Sequence, residues 1–192
     1  RFPYLAPGDT MELEIQGLAI PEEYGGSGYS FAELAVVLEE AGRVLCPAPL
    51  LSTVVLAGYA LMRSTDAEAC ARFLPRIADG SLTATVAFGA DVTAGRGAGG
   101  WTLVGSADFV LDGQQADLIL VPVGDRLFAC ESGVERSAHR VLDETRPQAH
   151  LEFRGTPAIP VGQSAREDVL DFGRAAVAAE QVGGIGHALD AT

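Results

Sequence analysis

The chain has 192 residues, of which 48% are hydrophobic and 20% charged, and it carries a formal net charge of -13. This balance is typical of a compact protein of one large or two small domains. The acidity disfavours nucleic acid and anionic membrane surfaces as partners. It does not exclude small anionic ligands, since a local cationic pocket or a set of backbone amides can hold them.

The cysteines and histidines argue against a disulfide framework and against a metal site. They are few and scattered, and none has a second ligand at the spacing of a zinc site: Cys46, Cys70, Cys130, His139, His150 and His187. We therefore expect no bound metal and a reducing, cytoplasmic compartment.

The uncharged stretch 44–62 is nearly long enough to cross a bilayer. Pro47 and Pro49 interrupt it, however, and leave about a dozen helix-competent residues, which is too short a span. The N-terminus shows no basic-then-apolar signal pattern. We expect no membrane span.

Residues 1–80 predict an N-terminal helical domain. Ser30 and Glu33 have the spacing of a capping box, in which each side chain satisfies a free backbone N–H at the start of a helix. The run "FAELAVVLEEAGR" that follows places its apolar residues on one stripe. A second helix is predicted over 50–62.

A third helix is predicted to start near Asp66 and to bend or restart at Pro75.

From residue 81 the sequence pattern changes to short β-rich runs separated by Gly and Asp turns. This pattern predicts a middle antiparallel β-barrel or sandwich over 81–162. Within it, the stretch "GSADFVLDGQQADLILVPV" (105–123) is interpreted as two strands of one hairpin. Residues 163–192 are Ala-rich and Leu/Val-periodic, and predict the first helix of a C-terminal bundle. The fold class is thus α+β, multidomain.

Two Gly-rich segments have the composition of an anion-binding loop. "GRGAGG" (95–100) matches a dinucleotide fingerprint in spacing, but a strand follows it where a helix N-terminus is required, so we interpret it as a β-turn loop. "PEEYGGSGYS" (21–30) contains two glutamates that would repel a phosphate. It is better explained as the turn that delivers the Ser30 cap.

Several segments, in order and spacing, resemble the acyl-CoA dehydrogenase family. They are "GLAIPEEYGGSGYSFAELAVVLEEAGR", "FLPRIADGSLTATVAF", the 105–123 stretch, "VLDETRPQAHLEF" and "AAVAAEQVGGIGHALDAT". In the 105–123 stretch, Gly105, Gly113, Ala116 and Asp117 fall in register with the family pattern Gly-x-Lys-x-Trp-Ile-Thr/Ser-Asn-Gly-x-x-Ala-Asp. Phe109 stands at the Trp position.

The resemblance implies FAD as cofactor and a flavin wall formed by five residues: Phe88, Gly89, Phe109, Val110 and Leu111. An apolar strand suits such a wall; the alternative is that Phe109 and Val110 are simple barrel core. The chain departs from the family at the polar contacts, because Leu111 replaces a Thr or Ser, Gly89 stands where a Thr would fall, and Ala107 replaces the Lys.

The family reaction is α,β-desaturation of an acyl-CoA thioester, in which a Glu removes the α-proton. Where members place this Glu in the first C-terminal helix, alignment puts Gly173 here, so no catalytic residue is assigned. Two functions remain open: an FAD-dependent acyl-CoA dehydrogenase of lipid catabolism, or a non-catalytic partner subunit of one. The resemblance further implies an acyl-CoA substrate, an electron-transfer acceptor, and a homo- or hetero-oligomer with related subunits.

Overall fold

The computed structural model describes residues 15–192. Its helices are α1 (Phe31–Arg43), a π-helix (Leu50–Ala57) that leads directly into α2 (Gly58–Arg63), α3 (Ala67–Ala78) and α4 (Arg166–Asp190), with short 3-10 turns at Ile15–Gly17 and Glu22–Tyr24. The strands are β1 (Ala84–Val86), β2 (Asp91–Gly97), β3 (Gly100–Leu111), β4 (Leu118–Val123), β5 (Arg126–Cys130), β6 (Val134–Ala138) and β7 (Gln148–Gln163).

The helix–sheet–helix order confirms the predicted fold class. All described strands join one bent sheet in the order β1-β4-β5-β7-β3-β2, with β6 pairing to β7. The predicted purely antiparallel character is corrected at one place, because β1 and β4 pair in parallel. The chain passes through β2 and β3 before it returns to β1, and such a crossover permits the parallel direction. The domain boundaries at 80 and 162 remain predictions.

The predicted 105–123 hairpin is wrong. β3 pairs with β2 and β7, whereas β4 pairs with β1 and β5, so the two strands are not hydrogen-bonded neighbours. Asp112 has a positive φ of 54° and its carbonyl accepts the N–H groups of Gln115 and Ala116. This tight turn redirects the chain to another part of the sheet instead of folding β4 back on β3.

The predicted start of α1 is confirmed in atomic detail. The Ser30 Oγ accepts from the N–H of Ala32 (3.2 Å), and the Glu33 carboxylate accepts from the Ser30 N–H (2.9 Å). Leu34, Leu38 and Gly42 are the buried residues of the helix, as the stripe predicted.

Two helices differ from their predicted form. The first eight residues of the 50–62 helix are wound as a π-helix rather than an α-helix. The α3 helix begins at its Asp66 cap as expected but continues through Pro75 without a restart. The proline lies near the end of the helix, and the carbonyl deprived of its donor belongs to the exposed Ala71, where water can replace the missing bond.

Three clusters of buried side chains hold the fold together. The helix–sheet core includes Phe73, Leu74, Ile77, Leu118 and Leu120, and the β-core includes Leu103, Val110, Ile119, Phe128 and Phe153. The helical core joins α1, the π-helix, α2 and α4 through Leu34, Leu38, Val54, Tyr59 and Ala176. Successive residues of β4 enter the two sheet cores alternately, which explains why its sequence is a continuous apolar run.

Candidate functional site

Residues 109–111, near the end of β3, face three different environments. Phe109 is 67% exposed, Val110 is 3% exposed and packs in the β-core, and Leu111 is half-buried on the wall of a groove. A register shift against β7 between Ala107 and Val110, together with the positive φ of Phe109 (54°), produces this arrangement. Phe109 and Leu111 can therefore contact a ligand, whereas Val110 can only support them from behind.

The exposed Phe109 ring stacks on an imidazole. Its centroid lies 4.8 Å from that of His139, with 23° between the ring planes. The His139 Nε2 lies 2.5 Å from Oδ1 of Asp108, and Nδ1 of His150 lies 3.4 Å from the same oxygen. The hydrogen bond with His139 is the main cause that lowers the pKa of the Asp108 carboxyl. A flat aromatic pair is thus held in place by a carboxylate.

Two hydrogen bonds fix the other end of this segment. The Ser52 Oγ donates to Oδ2 of Asp112 (2.5 Å), and the Thr85 Oγ1 donates to the backbone carbonyl of Leu111 (2.6 Å). Burial raises the pKa of Asp112, while the Ser52 hydrogen bond and the charge of Arg146 act in the opposite direction. The π-helix and β1 therefore position the strand end where Leu111 meets the groove.

Phe88 and Gly89 lie in the turn between β1 and β2. Phe88 is half-buried against the helix–sheet core, and the guanidinium carbon of Arg166 lies 5.7 Å from the centre of its ring. Gly89 has a φ of +72° with open space around its Cα. This backbone geometry is easily adopted by glycine and would strain the threonine of the family pattern.

A groove of about 1130 Å³ lies between α1, α4 and the loop that connects β6 to β7. Its walls include Leu111, Leu142 and Ile185, and it also contains the ion pair between Nη2 of Arg146 and Oε2 of Glu180 (2.6 Å). The Glu180 side chain is only 11% exposed. The groove is large enough for a cofactor-sized or substrate-sized ligand.

Position 173, where some family members have the catalytic Glu, faces the π-helix. Gly173 is buried, and a Cβ at this position would lie 2.8 Å from Cδ2 of Leu56. Asp171 does not compensate, because it is exposed on another side of α4 and pairs with Arg174. Neither residue places a carboxylate in the groove.

Within residues 15–192, no cluster of three or more His, Cys, Asp or Glu side chains is arranged to hold a metal ion. No helix in this described part is long and apolar enough to cross a membrane. The three cysteines are free thiols, and burial raises the pKa of Cys130 to about 12. Burial also raises the pKa of Cys70, so neither Cys70 nor Cys130 is an activated nucleophile at neutral pH.

Sequence reasoning missed the residues that position the predicted wall segment. His139, Ser52 and Arg146 are distant in the chain from Phe109 and Leu111, and nothing in their local sequence indicates the contact. Asp112 was detectable, because it stands at the Asn of the family pattern, next to the assigned wall.

Comparison with known proteins shows which family this fold and sequence resemble. Residues 3–81 match the model of the acyl-CoA dehydrogenase N-terminal domain. Acyl-CoA dehydrogenase IpdE2 of Mycobacterium tuberculosis is 34% identical over 184 residues, which are 94% of this chain and 49% of the relative. IpdE2 of Mycolicibacterium smegmatis is 31% identical over 181 residues, with 94% and 50% coverage. The chain thus spans about half the length of these curated relatives.

Solved structures agree. The Tcur3481–Tcur3483 steroid ACAD superposes with a TM-score of 0.82 at 31% identity, covering 94% of this chain and 54% of that one. The ChsE4–ChsE5 complex of Mycobacterium tuberculosis superposes with a TM-score of 0.81 at 28% identity and the same coverage. With the matched domain, the relatives along nearly the whole chain and the shared fold, this chain belongs to the acyl-CoA dehydrogenase family.

Proposed function

We propose that the chain takes part in FAD-dependent α,β-desaturation of an acyl-CoA thioester. The observation that carries the proposal is the exposed Phe109 ring, which stands at the flavin-wall position of the family pattern. Leu111, two residues on, opens into a groove of about 1130 Å³. An exposed aromatic side chain stacked on His139 suits a flat heteroaromatic ligand better than it suits barrel core.

The apolar side chains at the predicted wall suit FAD, but the side-chain hydroxyls of the family pattern are missing. Phe88, Phe109 and Leu111 offer apolar surface, and Gly89 leaves room for close approach of a ligand to the backbone. No side-chain hydroxyl stands at positions 89 or 111, so backbone amides must supply hydrogen bonds there. When bound, FAD would supply the hydride acceptor for the substrate β-carbon.

Removal of the α-proton requires a carboxylate base. Gly173, which stands where some family members have that base, cannot supply a carboxylate. The packing of Leu56 against that glycine favours a second candidate, a subunit that supports a catalytic partner without performing the chemistry itself. One of the solved neighbours is the ChsE4–ChsE5 complex, which supports a hetero-oligomeric assembly. Because one solved neighbour is a steroid ACAD, a polycyclic acyl-CoA is the first substrate to test.

The test is the visible spectrum of the purified protein, alone and with a co-expressed family partner, followed by anaerobic addition of acyl-CoA. A flavin spectrum that bleaches supports desaturation, with electrons passed on to an external acceptor. Flavin that bleaches only in the presence of the partner supports the second candidate. No flavin in either preparation would exclude both.

Leu111→Thr tests where the wall lies. A hydroxyl at this position should tighten FAD by about 0.5–1.5 kcal/mol, the usual net value of a hydrogen bond. Leu111→Val is the matched control, because it has nearly the shape of threonine without the hydroxyl. Equal FAD affinity of the two variants in a fluorescence titration would place the flavin elsewhere.

A further inference from the structure

A cationic and aromatic cluster lies at the β2–β3 hairpin, apart from the wall and the groove. Arg96 stands directly opposite Trp101 across the hairpin, and its guanidinium carbon lies 5.9 Å from the centre of the indole ring. Arg126, at the start of β5, approaches the same ring to 5.3 Å. Two guanidinium groups therefore lie within 6 Å of the centre of the same indole ring.

These two arginines differ from most others in the chain. All thirteen basic side chains are arginines, against twenty-six acidic side chains. In the described part of the chain most arginines pair with a carboxylate, but Arg96 and Arg126 have no such partner there. Both side chains belong to exposed residues. Their N–H groups that point away from the ring are available to a ligand.

The surroundings make the cluster rigid and approachable. Trp101 packs on Phe128, which is 1% exposed, with 5.3 Å between the ring centres. The hairpin turn beside it is made of glycine at three of four positions, Gly97, Gly99 and Gly100, and no atom lies within 4 Å of where a Cβ would stand at any of them. A ligand can therefore reach the backbone of the turn as well as both guanidinium groups.

We propose that Arg96, Arg126 and the 97–100 turn bind a ligand that carries two adjacent phosphate groups. The planar fork of a guanidinium matches phosphate oxygens in bidentate fashion, and a diphosphate supplies enough negative charge for both forks. The net charge of -13 repels anions at long range, so the binding comes from these local contacts. The GRGAGG segment is thus a phosphate site of a different construction from the dinucleotide fingerprint.

A nucleoside diphosphate has this chemistry, and the site does not rest on the proposed function. Free ADP therefore tests the site without any flavin or desaturation activity.

Trp101 is the only tryptophan of the chain, so its fluorescence reports on this cluster alone. We expect ADP to change the emission in a saturable way, and adenosine, which lacks phosphate, and succinate, a dicarboxylate, to leave it unchanged. Arg96→Ala and Arg126→Ala should each weaken ADP binding at least tenfold. Raising the salt concentration should weaken it as well.

Arg140→Gln is the matched control, since it removes one exposed positive charge away from the hairpin and should leave ADP affinity unchanged. Arg126→Lys keeps the charge without the fork and should retain only part of the affinity. Circular dichroism checks that each variant is folded. An emission spectrum that does not respond to ADP, or an equal loss in the Arg140→Gln variant, would overturn the site whatever the flavin experiments show.

Discussion

Two aspartates four residues apart in the wall segment have opposite electrostatic environments. Asp108 is exposed and bonded to His139, which lowers its pKa, whereas burial raises the pKa of Asp112. The bulge in β3 separates them, turning one carboxylate to the surface and the other toward the π-helix. Equal side chains in a short segment therefore respond to pH with opposite sign.

Asp112→Asn should stabilise the protein at neutral pH. A folded-state pKa above the unfolded value of about 3.9 means that the folded form binds its proton more tightly. The contribution of Asp112 to the free energy of unfolding is therefore largest below its unfolded-state pKa. This contribution is lost as the pH rises through the folded-state pKa. Asparagine keeps an acceptor for Ser52 and has no such loss. In thermal melts from acidic to neutral pH, the melting temperature of the variant should rise relative to that of the wild type as the pH increases.

Asp108→Asn is the comparison with the opposite sign. In the wild type, the lowered folded-state pKa of Asp108 contributes stability at pH values above the unfolded-state pKa. That stability is lost as the pH falls through the folded-state pKa. The variant should be less stable than the wild type at neutral pH, with the difference closing in acid. A pH profile of the same direction for both variants would contradict the environments described here.

At the scale of elements, α1 and α4 cross with their backbones in contact. A Cβ on Gly183 would lie 1.8 Å from the carbonyl oxygen of Glu39, and a Cβ on Gly42 would lie 2.1 Å from that of Glu180. Glycine is needed at both positions because of this close approach. The crossing places Glu180 where it can pair with Arg146 in the groove.

Gly183→Ala should therefore destabilise the protein by about 1–3 kcal/mol or more, since the helices must separate to admit the methyl group. The adjacent Gly184→Ala is the control. Its nearest neighbour would be 3.7 Å away, and alanine is the better helix former by up to about 1 kcal/mol. Urea unfolding of the two variants should give changes of opposite sign, and two equal losses would mean that the crossing is looser than described.

The elements were predictable where their signals are local. The capping box at Ser30 and the stripe of α1 depend on residues within one or two turns, and both are present in the structure. The partner of β3 is set by β7, whose paired residues lie some forty to sixty positions later in the chain. No pattern inside 105–123 indicates that pairing, so the short loop predicts a hairpin that the structure does not contain.

At the scale of the whole molecule, the excess of carboxylates is the main long-range force. A net charge of -13 on one compact chain repels itself, and the exposed ion pairs of the arginines contribute little against it. Salt shortens the range of this repulsion from about 30 Å at 0.01 M to about 8 Å at 0.15 M.

The melting temperature should therefore rise as sodium chloride is increased over that range at neutral pH. Near the sequence pI of about 4.5 the net charge is small, and the same addition should have much less effect. A fall in melting temperature with salt at neutral pH would show that the ion pairs outweigh the repulsion.

The order of helices and strands could be predicted from the sequence, whereas the candidate site could be predicted only in part. The helix–sheet–helix order is visible in composition, because strands and helices differ in their apolar periods. The wall residues came from a family pattern, yet the side chains that support them, such as His139 and Ser52, come from other elements and needed coordinates. Val110 illustrates the limit, since a β-bulge decides which of three adjacent apolar residues is buried.

The sixteen residues of β7 pair with β3, β5 and β6, so a central strand of the sheet is the last of its described strands in chain order. On the ribosome, the earlier strands emerge before the strand that joins them. Nascent β3 and β5 must therefore wait with unpaired edges until residue 163 has left the exit tunnel. The interval exposes hydrogen-bonding edges to other nascent chains, which makes the timing of translation over 148–163 a determinant of yield.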